Sequence, residues 1–336
     1  MSGGFSPRRV LLPLVPAYRL GLWLREKRLG TKAEPVKRLR FPVVSIGNLS
    51  TGGAGKTPLI IALAKALTAR SVHVNVLSRG YGRKSNVAVR VPADGAAEDF
   101  GDEPLLIAQS AGVPVYVAEQ RYQAGLLAEG DLAAIAVLGQ QPKPAIHLLD
   151  DGFQHRQLAR NVDIVLLDRR DWNDSLLPAG NLREPGEALR RAGVIAIPAD
   201  DAELANELKA WGWQGPIWRL QRRMEVPAID GPAAAFCGIA RPDQFFDGLA
   251  ASGLRVVAHK AFPDHHPYTA KDAAQLVESA RKAGAVAFTT TEKDHVRLGK
   301  LASQFSDLLP LQTARLTVEL EDDATEWLMR RLGLQT

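Results

Sequence analysis

The stretch that most constrains the fold is Val43-Val-Ser-Ile46 followed by Gly47-Asn-Leu-Ser-Thr-Gly-Gly-Ala-Gly-Lys-Thr-Pro58. A short apolar run feeds a glycine-rich turn, and an Ala/Leu-rich segment begins at Thr57–Pro58. Strand, turn and helix in that order make a phosphate cradle, because successive N–H groups and the positive end of a helix then face anionic oxygens. Gly52, Gly53 and Gly55 let the backbone curl and approach closely, with Thr51 and Ala54 completing the loop. Lys56 is placed to reach the β- and γ-phosphates of a nucleotide, and the Thr57 hydroxyl to bind Mg²⁺. Pro58 sits early in the helix, where its missing N–H does no harm. One position departs from G-x-x-x-x-G-K-[ST]: Ser50 stands where the first glycine is expected. It stiffens the loop entrance but leaves the three glycines nearest the phosphates intact.

A P-loop needs an acidic partner for the cation at the end of a neighbouring apolar strand. Ile146-His-Leu-Leu-Asp-Asp-Gly-Phe-Gln-His155 supplies Asp150 and Asp151. One carboxylate can hold the metal while the other faces the reacting phosphoryl group, at the strand ends where ligands gather in doubly wound sheets. Val162–Asp168 also ends in aspartate, so position at a strand end does not by itself select the metal site.

From residue 41 onward apolar runs alternate with helical stretches. Strands are predicted at Pro42–Ile46, Val72–Leu77, Pro114–Val117, Ile146–Leu149, Val162–Leu167 and Val194–Ile197, and helices at Pro58–Arg70, Glu103–Ala111 and Ala202–Trp211. That alternation predicts a mostly parallel sheet covered on both faces. A second alternation follows, with strands near Ala234–Ile239, Val256–His259 and Val286–Thr290 and helices near Pro242–Ala251 and Ala270–Ala283. Two exposed-type strands, Ile217–Arg222 and Leu311–Leu320, are expected to pair and return the chain to the first domain before a terminal helix at Asp322–Leu332. The fold class is α/β: a P-loop-containing, mostly parallel sheet domain, a second smaller α/β lobe, and a two-stranded connector. The corresponding divisions are 1–40, 41–225, 226–310 and 311–336.

At 336 residues, 46% hydrophobic and 24% charged, the chain is long enough for two cores. Its single cysteine, Cys237, lies in an apolar run and excludes both a disulfide within the chain and a multi-cysteine zinc site. The net charge of +5 is uneven. Residues 1–40 hold ten Lys or Arg against Glu26 and Glu34, a balance of +8, so the remainder sums to −3. The basic groups are interleaved with Val10-Leu-Leu-Pro-Leu-Val-Pro-Ala-Tyr18, Leu20, Leu22 and Trp23. Nine apolar residues with two prolines are too short to span a bilayer. Leu14, Tyr18 and Leu22 share a helical face, which suits either a membrane interface or packing on the chain's own domain. Basic groups among Leu, Val and Trp favour an anionic membrane surface over nucleic acid. Nothing calls for an obligate protein partner.

Four further clusters combine glycine, arginine and carboxylates: Ser78-Arg-Gly-Tyr-Gly-Arg83, Gly101-Asp-Glu-Pro104, Leu182-Arg-Glu-Pro185 and Phe262-Pro-Asp-His-His-Pro-Tyr268. The loop alone resembles the GKGGxGKT form of partitioning-type ATPases, but Thr51 stands where that form has its signature lysine. With all six motifs in order, the chain closely resembles the tetraacyldisaccharide 4'-kinase (lipid A 4'-kinase) family, from the basic N-terminus to Thr289–Leu298. In that family Ser or Thr occupies the position of Ser50.

The resemblance implies ATP-dependent phosphorylation of the 4'-hydroxyl of tetraacyl-disaccharide 1-phosphate to give lipid IVA. It implies a peripheral enzyme at the cytoplasmic face of the bacterial inner membrane, with its N-terminal helix at the membrane and the acyl substrate. Carried over, Lys56 and Thr57 hold ATP and Mg²⁺, and Asp102 matches the base that accepts the hydroxyl proton. His265, after Asp264, matches the histidine that supports Asp102. Asp150, Asp151, Arg183 and Glu184 match positions next to metal and phosphate, with Asp150 and Glu184 taken as metal ligands beside Thr57 and Asp151 as catalytic. Arg79, Tyr81, Arg83, Arg183 and Asp264 are expected to contact substrate or phosphate, where positioning and charge stabilisation make up most of the catalysis. The rival is a P-loop regulatory or chaperone NTPase. Lys293-Asp294 faintly echoes a guanine-reading Asn-Lys-x-Asp motif, but the Asn is absent and the spacing differs.

Overall fold

The computed structural model describes residues 7–29, 31, 35–137, 144–306 and 308–334. Residues 1–6, Lys32 and Glu34 of the basic segment lie outside the described residues. The central feature is a twelve-stranded sheet in the order β10-β9-β11-β12-β8-β7-β6-β1-β5-β2-β4-β3. Its first-lobe strands are β1 (Val43–Asn48), β2 (His73–Ser78), β3 (Val89–Arg90), β4 (Val115–Val117), β5 (Ala145–Asp150), β6 (Val162–Leu166), β7 (Val194–Pro198) and β8 (Ile217–Glu225). The second lobe adds β9 (Ala233–Cys237), β10 (Val256–Ala261), β11 (Ala287–Thr291) and β12 (Leu311–Glu319).

Pairing within each lobe is parallel except at the edge, where β3 runs antiparallel to β4. Every residue of β1 and β5 is buried, as expected of central strands covered on both faces. Two strands carry the lobe connection, each divided between two neighbours. β8 pairs parallel with β7 through Ile217–Leu220, then antiparallel with β12 through Gln221–Glu225. β12 pairs with β11 through Leu311–Ala314 before reaching β8. The expected two-stranded connector is therefore an antiparallel ribbon that joins two parallel sheets edge to edge. Separate cores back the lobes, one around Ile46, Leu63 and Leu148, another around Phe236, Phe288 and Phe305. Cys237 is fully buried and its thiol is pushed up to about 12, chiefly by burial, as befits a structural residue.

The N-terminal helix (Val15–Arg28) packs one face on its own domain and leaves another exposed. Val15, Tyr18 and Leu22 pack against the first lobe, and the Tyr18 hydroxyl donates to the Arg183 carbonyl at 3.0 Å. Leu14 does not join them; it is exposed with Val10, Leu12, Leu20, Trp23 and Leu24. Of the stripe that suits either use, Tyr18 and Leu22 anchor the helix to its own domain. No helix among the described residues is long and apolar enough to cross a membrane.

Candidate active site

The P-loop joins β1 to the helix Lys56–Ala69, and Gly52 and Gly55 take φ values of 106° and 85° that favour glycine. Ser50 is not a weakened glycine. The loop entrance runs extended, with Ser50 bridged antiparallel to Leu182, Thr51 N–H donating to the Asn181 carbonyl at 2.8 Å and Arg183 N–H to the Leu49 carbonyl at 2.7 Å. The buried Ser50 hydroxyl donates to Asp171 Oδ2 at 2.7 Å and accepts from Asn48 at 2.9 Å. Asp171 also binds Arg241 of the second lobe at 2.8 Å, and Arg241 pairs with Asp168 as well. The serine therefore links the P-loop to a charge cluster between the lobes, a link glycine could not make.

Register places Asp150 beside Ile46 of β1, so the paired aspartates emerge next to the loop. Asp151 has φ of 47°, a left-handed conformation that aspartate tolerates better than most residues. Its carboxylate binds both terminal nitrogens of Arg183 at 2.8 and 2.9 Å and Lys56 Nζ at 3.3 Å. Burial opposes its charge, but Lys56 and Arg183 outweigh burial and hold the acid well below the usual carboxylate range. Lys56 Nζ and Arg183 both also donate to Asn48 Oδ1, at 3.0 and 2.8 Å.

Asp150 is the opposite case. It is buried, Oδ2 accepts from Ser78 at 2.8 Å, and Oδ1 has no hydrogen-bond partner among the described residues. Burial, with Glu103 and Asp151 nearby, pushes its acid up to about 7. An orphaned, buried carboxylate oxygen in the cleft that also holds Thr57 fits a divalent cation, which would supply the missing charge.

On the same lobe stands Asp102, first residue of the helix Asp102–Ala111 and almost fully buried. His265 Nδ1 lies 3.0 Å from Asp102 Oδ2, and Arg297 reaches the same oxygen at 2.6 and 3.2 Å. Burial would raise the Asp102 acid, but these two partners hold it well below the usual range. The bond to Asp102 raises His265 above its ordinary value. The neighbouring histidine is engaged elsewhere, since His266 Nε2 pairs with Asp272 at 3.2 Å, at the start of the helix Ala270–Lys282. The lobes face each other over a cleft of about 1510 Å³, lined by Thr51–Thr57, Asp102, Asp150, Asp151, Arg183, His265 and Lys293.

Residues 7–333 match the family tetraacyldisaccharide-1-P 4'-kinase. The chain belongs to the tetraacyldisaccharide 4'-kinase family. Among curated members of this kinase family, it is 40% identical to the tetraacyldisaccharide 4'-kinase of Koribacter versatilis, covering 92% of this chain and 94% of the relative. It is 42% identical to that of Rhodospirillum rubrum, over 79% and 78% of the two chains. The crystal structure of LpxK from Aquifex aeolicus in complex with ATP superposes with a TM-score of 0.73 at 30% identity, covering 97% of this chain and 100% of that one. The enzyme is accordingly a kinase of lipid A biosynthesis.

For this kinase the structure gathers most of the predicted residues. Arg79 and Tyr81 line the cleft, the Tyr81 ring lies 5.3 Å from that of His265, and Asp264 flanks His265 with Oδ2 3.9 Å from Nε2. Two predicted residues do not join them. Arg83 donates to the Val87 carbonyl at 2.8 Å and does not line the cleft. Glu184 pairs with Arg191 at 2.7 Å and lines a separate pocket of about 320 Å³ beneath the N-terminal helix. Its carboxylate makes no contact with Thr57 or Asp150 among the described residues.

Sequence reasoning missed four groups. Asn48 holds Lys56 and Arg183, and Arg121 lines the cleft buried, with Nε lacking a partner among the described residues. Lys293 pairs with Glu103, and Arg297 with Asp102. The Lys293–Arg297 spacing of one helical turn, on a segment already noted for its lysine, was the available signal.

Proposed function

We propose that this cleft binds ATP in the P-loop and transfers its γ-phosphoryl group to the 4'-hydroxyl of a tetraacyl-disaccharide 1-phosphate, forming lipid IVA. The observation that carries the reading is the Asp102–His265 pair, which joins the two lobes and lines the same cleft as the P-loop. Loop amides from Thr51 to Thr57 and the Lys56 ammonium hold the triphosphate. When phosphate arrives, Lys56 exchanges its resting contacts with Asn48 and Asp151 for phosphate oxygens. Thr57 and Asp150 would hold Mg²⁺, which supplies charge neutralisation to the phosphates when bound.

Asp151 keeps Arg183 oriented, and Arg183, Arg79 and the buried Arg121 are the cations available to the transferred group and the lipid phosphate. Phosphoryl transfer depends mostly on such positioning and charge stabilisation. The hydroxyl proton leaves through the Asp102–His265 pair, whose members come from different lobes. Full catalysis then depends on the lobes standing together, which also keeps water from the γ-phosphate. The ribbon of β8 and β12 supports division of the chain at 41–225, 226–310 and 311–336, with 1–40 as the membrane segment.

At the N-terminus, exposed Val10, Leu12, Leu20 and Trp23 beside exposed Arg8, Arg9, Lys27 and Arg28 suit an anionic bilayer surface. We place the enzyme peripherally at the cytoplasmic face of the bacterial inner membrane, where its lipid acceptor is met. Incubation with labelled ATP, Mg²⁺ and tetraacyl-disaccharide 1-phosphate should yield one labelled lipid phosphorylated at the 4' position. ATP consumption with no labelled lipid would instead favour an NTPase acting on a protein.

A further inference from the structure

The ribbon that joins the lobes carries a cation to which the phosphoryl transfer assigns no role. Along β8 the even-numbered side chains share one face. Trp218 and Leu220 pack in the core of the first lobe, and Met224 packs in the second lobe around Phe245 and Leu249. Arg222 stands between them on this otherwise apolar face. It sits where the strand changes neighbours, two residues after Leu220 pairs with Pro198 of β7 and opposite Val318 of β12. Packing alone calls for an apolar residue at this position.

The surroundings leave the Arg222 charge uncompensated. Of the acids that act on it, Asp168 and Asp171 are both held by Arg241, and Arg222 forms no ion pair among the described residues. Its Nε is buried without a partner, and burial pushes the guanidinium below its ordinary value. Its one hydrogen bond among the described residues runs from Nη2 to the Ala54 carbonyl of the P-loop, at 2.9 Å. The approach is close, since a Cβ on Gly55 would stand 3.5 Å from Arg222 Cζ and Nη2. The effect of this costly charge therefore falls on one peptide of the loop.

The Ala54–Gly55 peptide is planar, so its N–H points opposite to its carbonyl. Fixing the oxygen against Arg222 fixes the direction of the Gly55 N–H. A cation on the oxygen also polarises the peptide and makes that N–H a stronger donor. Gly55 N–H donates to no other backbone group among the described residues, so it is free to meet an anion. We propose that Arg222 is a positioning residue for the P-loop: from the ribbon it aims the Gly55 N–H at the nucleotide phosphates and lends it positive charge. The proposal rests on the reading of the loop as the ATP cradle. Arg222 acts through the loop on ADP and ATP alike, because both carry the phosphates that loop amides hold.

The test is calorimetric titration of the full-length chain with ADP and with ATP, each with Mg²⁺, which needs no lipid acceptor. A wild type that binds neither would refute the reading of the loop, and this proposal with it. Arg222→Met keeps the length of the stem and suits the apolar face. It should weaken both nucleotides by about tenfold or more, raise KM for ATP to match with a smaller change in kcat, and leave KM for the lipid acceptor unchanged. Arg222→Gln retains a neutral donor and should fall between Met and wild type. Arg222→Lys retains the charge and should lie closest to wild type.

Because the buried charge is unpaired, Arg222→Met should leave Tm without nucleotide unchanged or higher. In nucleotide-free enzyme labelled with ¹⁵N-glycine, the Gly55 amide resonance should move further in Arg222→Met than in Arg222→Lys. Wild-type nucleotide affinity in Arg222→Met would overturn the proposal and leave the ATP reading standing. So would an equal loss of affinity in the Met, Gln and Lys variants accompanied by a fall in Tm, which would mark Arg222 as a packing residue of the ribbon.

Discussion

Asp150 offers the sharpest energetic consequence of the site, because its ionised form is costly until something binds it. Replacing it by Asn keeps the shape, keeps an oxygen for the Ser78 hydroxyl and removes the charge. The magnitude follows from the shift of its acid from 3.8 to about 7. At about 1.4 kcal/mol per tenfold, burying the carboxylate costs on the order of 4 kcal/mol. Local relaxation and water entry reduce the measurable difference to about 1–3 kcal/mol.

The sign is set by the direction of the shift. The folded-state value lies above the unfolded one, so the penalty is absent below pH 4, grows between pH 4 and pH 7, and is level above. Asp150→Asn should therefore match the wild type near pH 4 and exceed it at pH 8 in chelator, by roughly 1–4 °C in Tm for a chain of this length. The same variant should lose most of its activity. It should also lose most of the extra stabilisation that Mg²⁺ and ATP together give the wild type. Thermal unfolding at several pH values, with and without Mg²⁺ and ATP, checks both stability outcomes, and a kinase assay checks the activity. An Asn variant less stable than wild type at pH 8 in chelator, or a difference that does not change with pH, would show that Asp150 is not an uncompensated buried charge.

Three further outcomes follow from the contacts. Ser50→Gly restores the common P-loop pattern yet should weaken the enzyme, by about 1–3 kcal/mol in unfolding free energy, because buried Asp171 loses its hydroxyl donor; a gain in stability or in ATP affinity would contradict this. Arg183→Lys cannot reproduce the two-pronged contact with Asp151 and should lower kcat by about 10- to 100-fold with little change in Tm; steady-state kinetics at saturating ATP decide it. At the N-terminus, Leu20→Glu with Trp23→Glu should cut sedimentation with anionic vesicles and leave stability unchanged. Tyr18→Ala should instead cost about 1–3 kcal/mol by unpacking the helix from the lobe, as followed by chemical denaturation.

What could be anticipated without coordinates divides along a physical line. The strand–glycine–lysine turn and the aspartate-ended strand are local requirements of backbone and charge, so their residues announce them within a dozen positions. The helix Arg121–Val137 escapes a reading of periodicity because Gly125 and Gly130 interrupt its pattern. The reason for Gly125 is tertiary: a Cβ there would stand 2.2 Å from Leu39 Cδ1, so the residue is small to admit a side chain from a distant segment. The N-terminal helix misleads in the same way, since a face of Tyr18 and Leu22 looks alike whether lipid or protein covers it.

The cross-lobe contacts are the extreme case. Asp102 meets partners 163 and 195 positions away, and no spacing rule joins them. The family resemblance supplied His265, because a motif can be carried over by likeness; Arg297 belonged to no motif with an assigned role and had to be found in space. That difference bears on the chemistry. With His265 alone beside it, Asp102 would read as an acid supported by a histidine. With Arg297 on the same oxygen, Asp102 also carries a permanent cation from the second lobe, and its acid is held well below the usual carboxylate range.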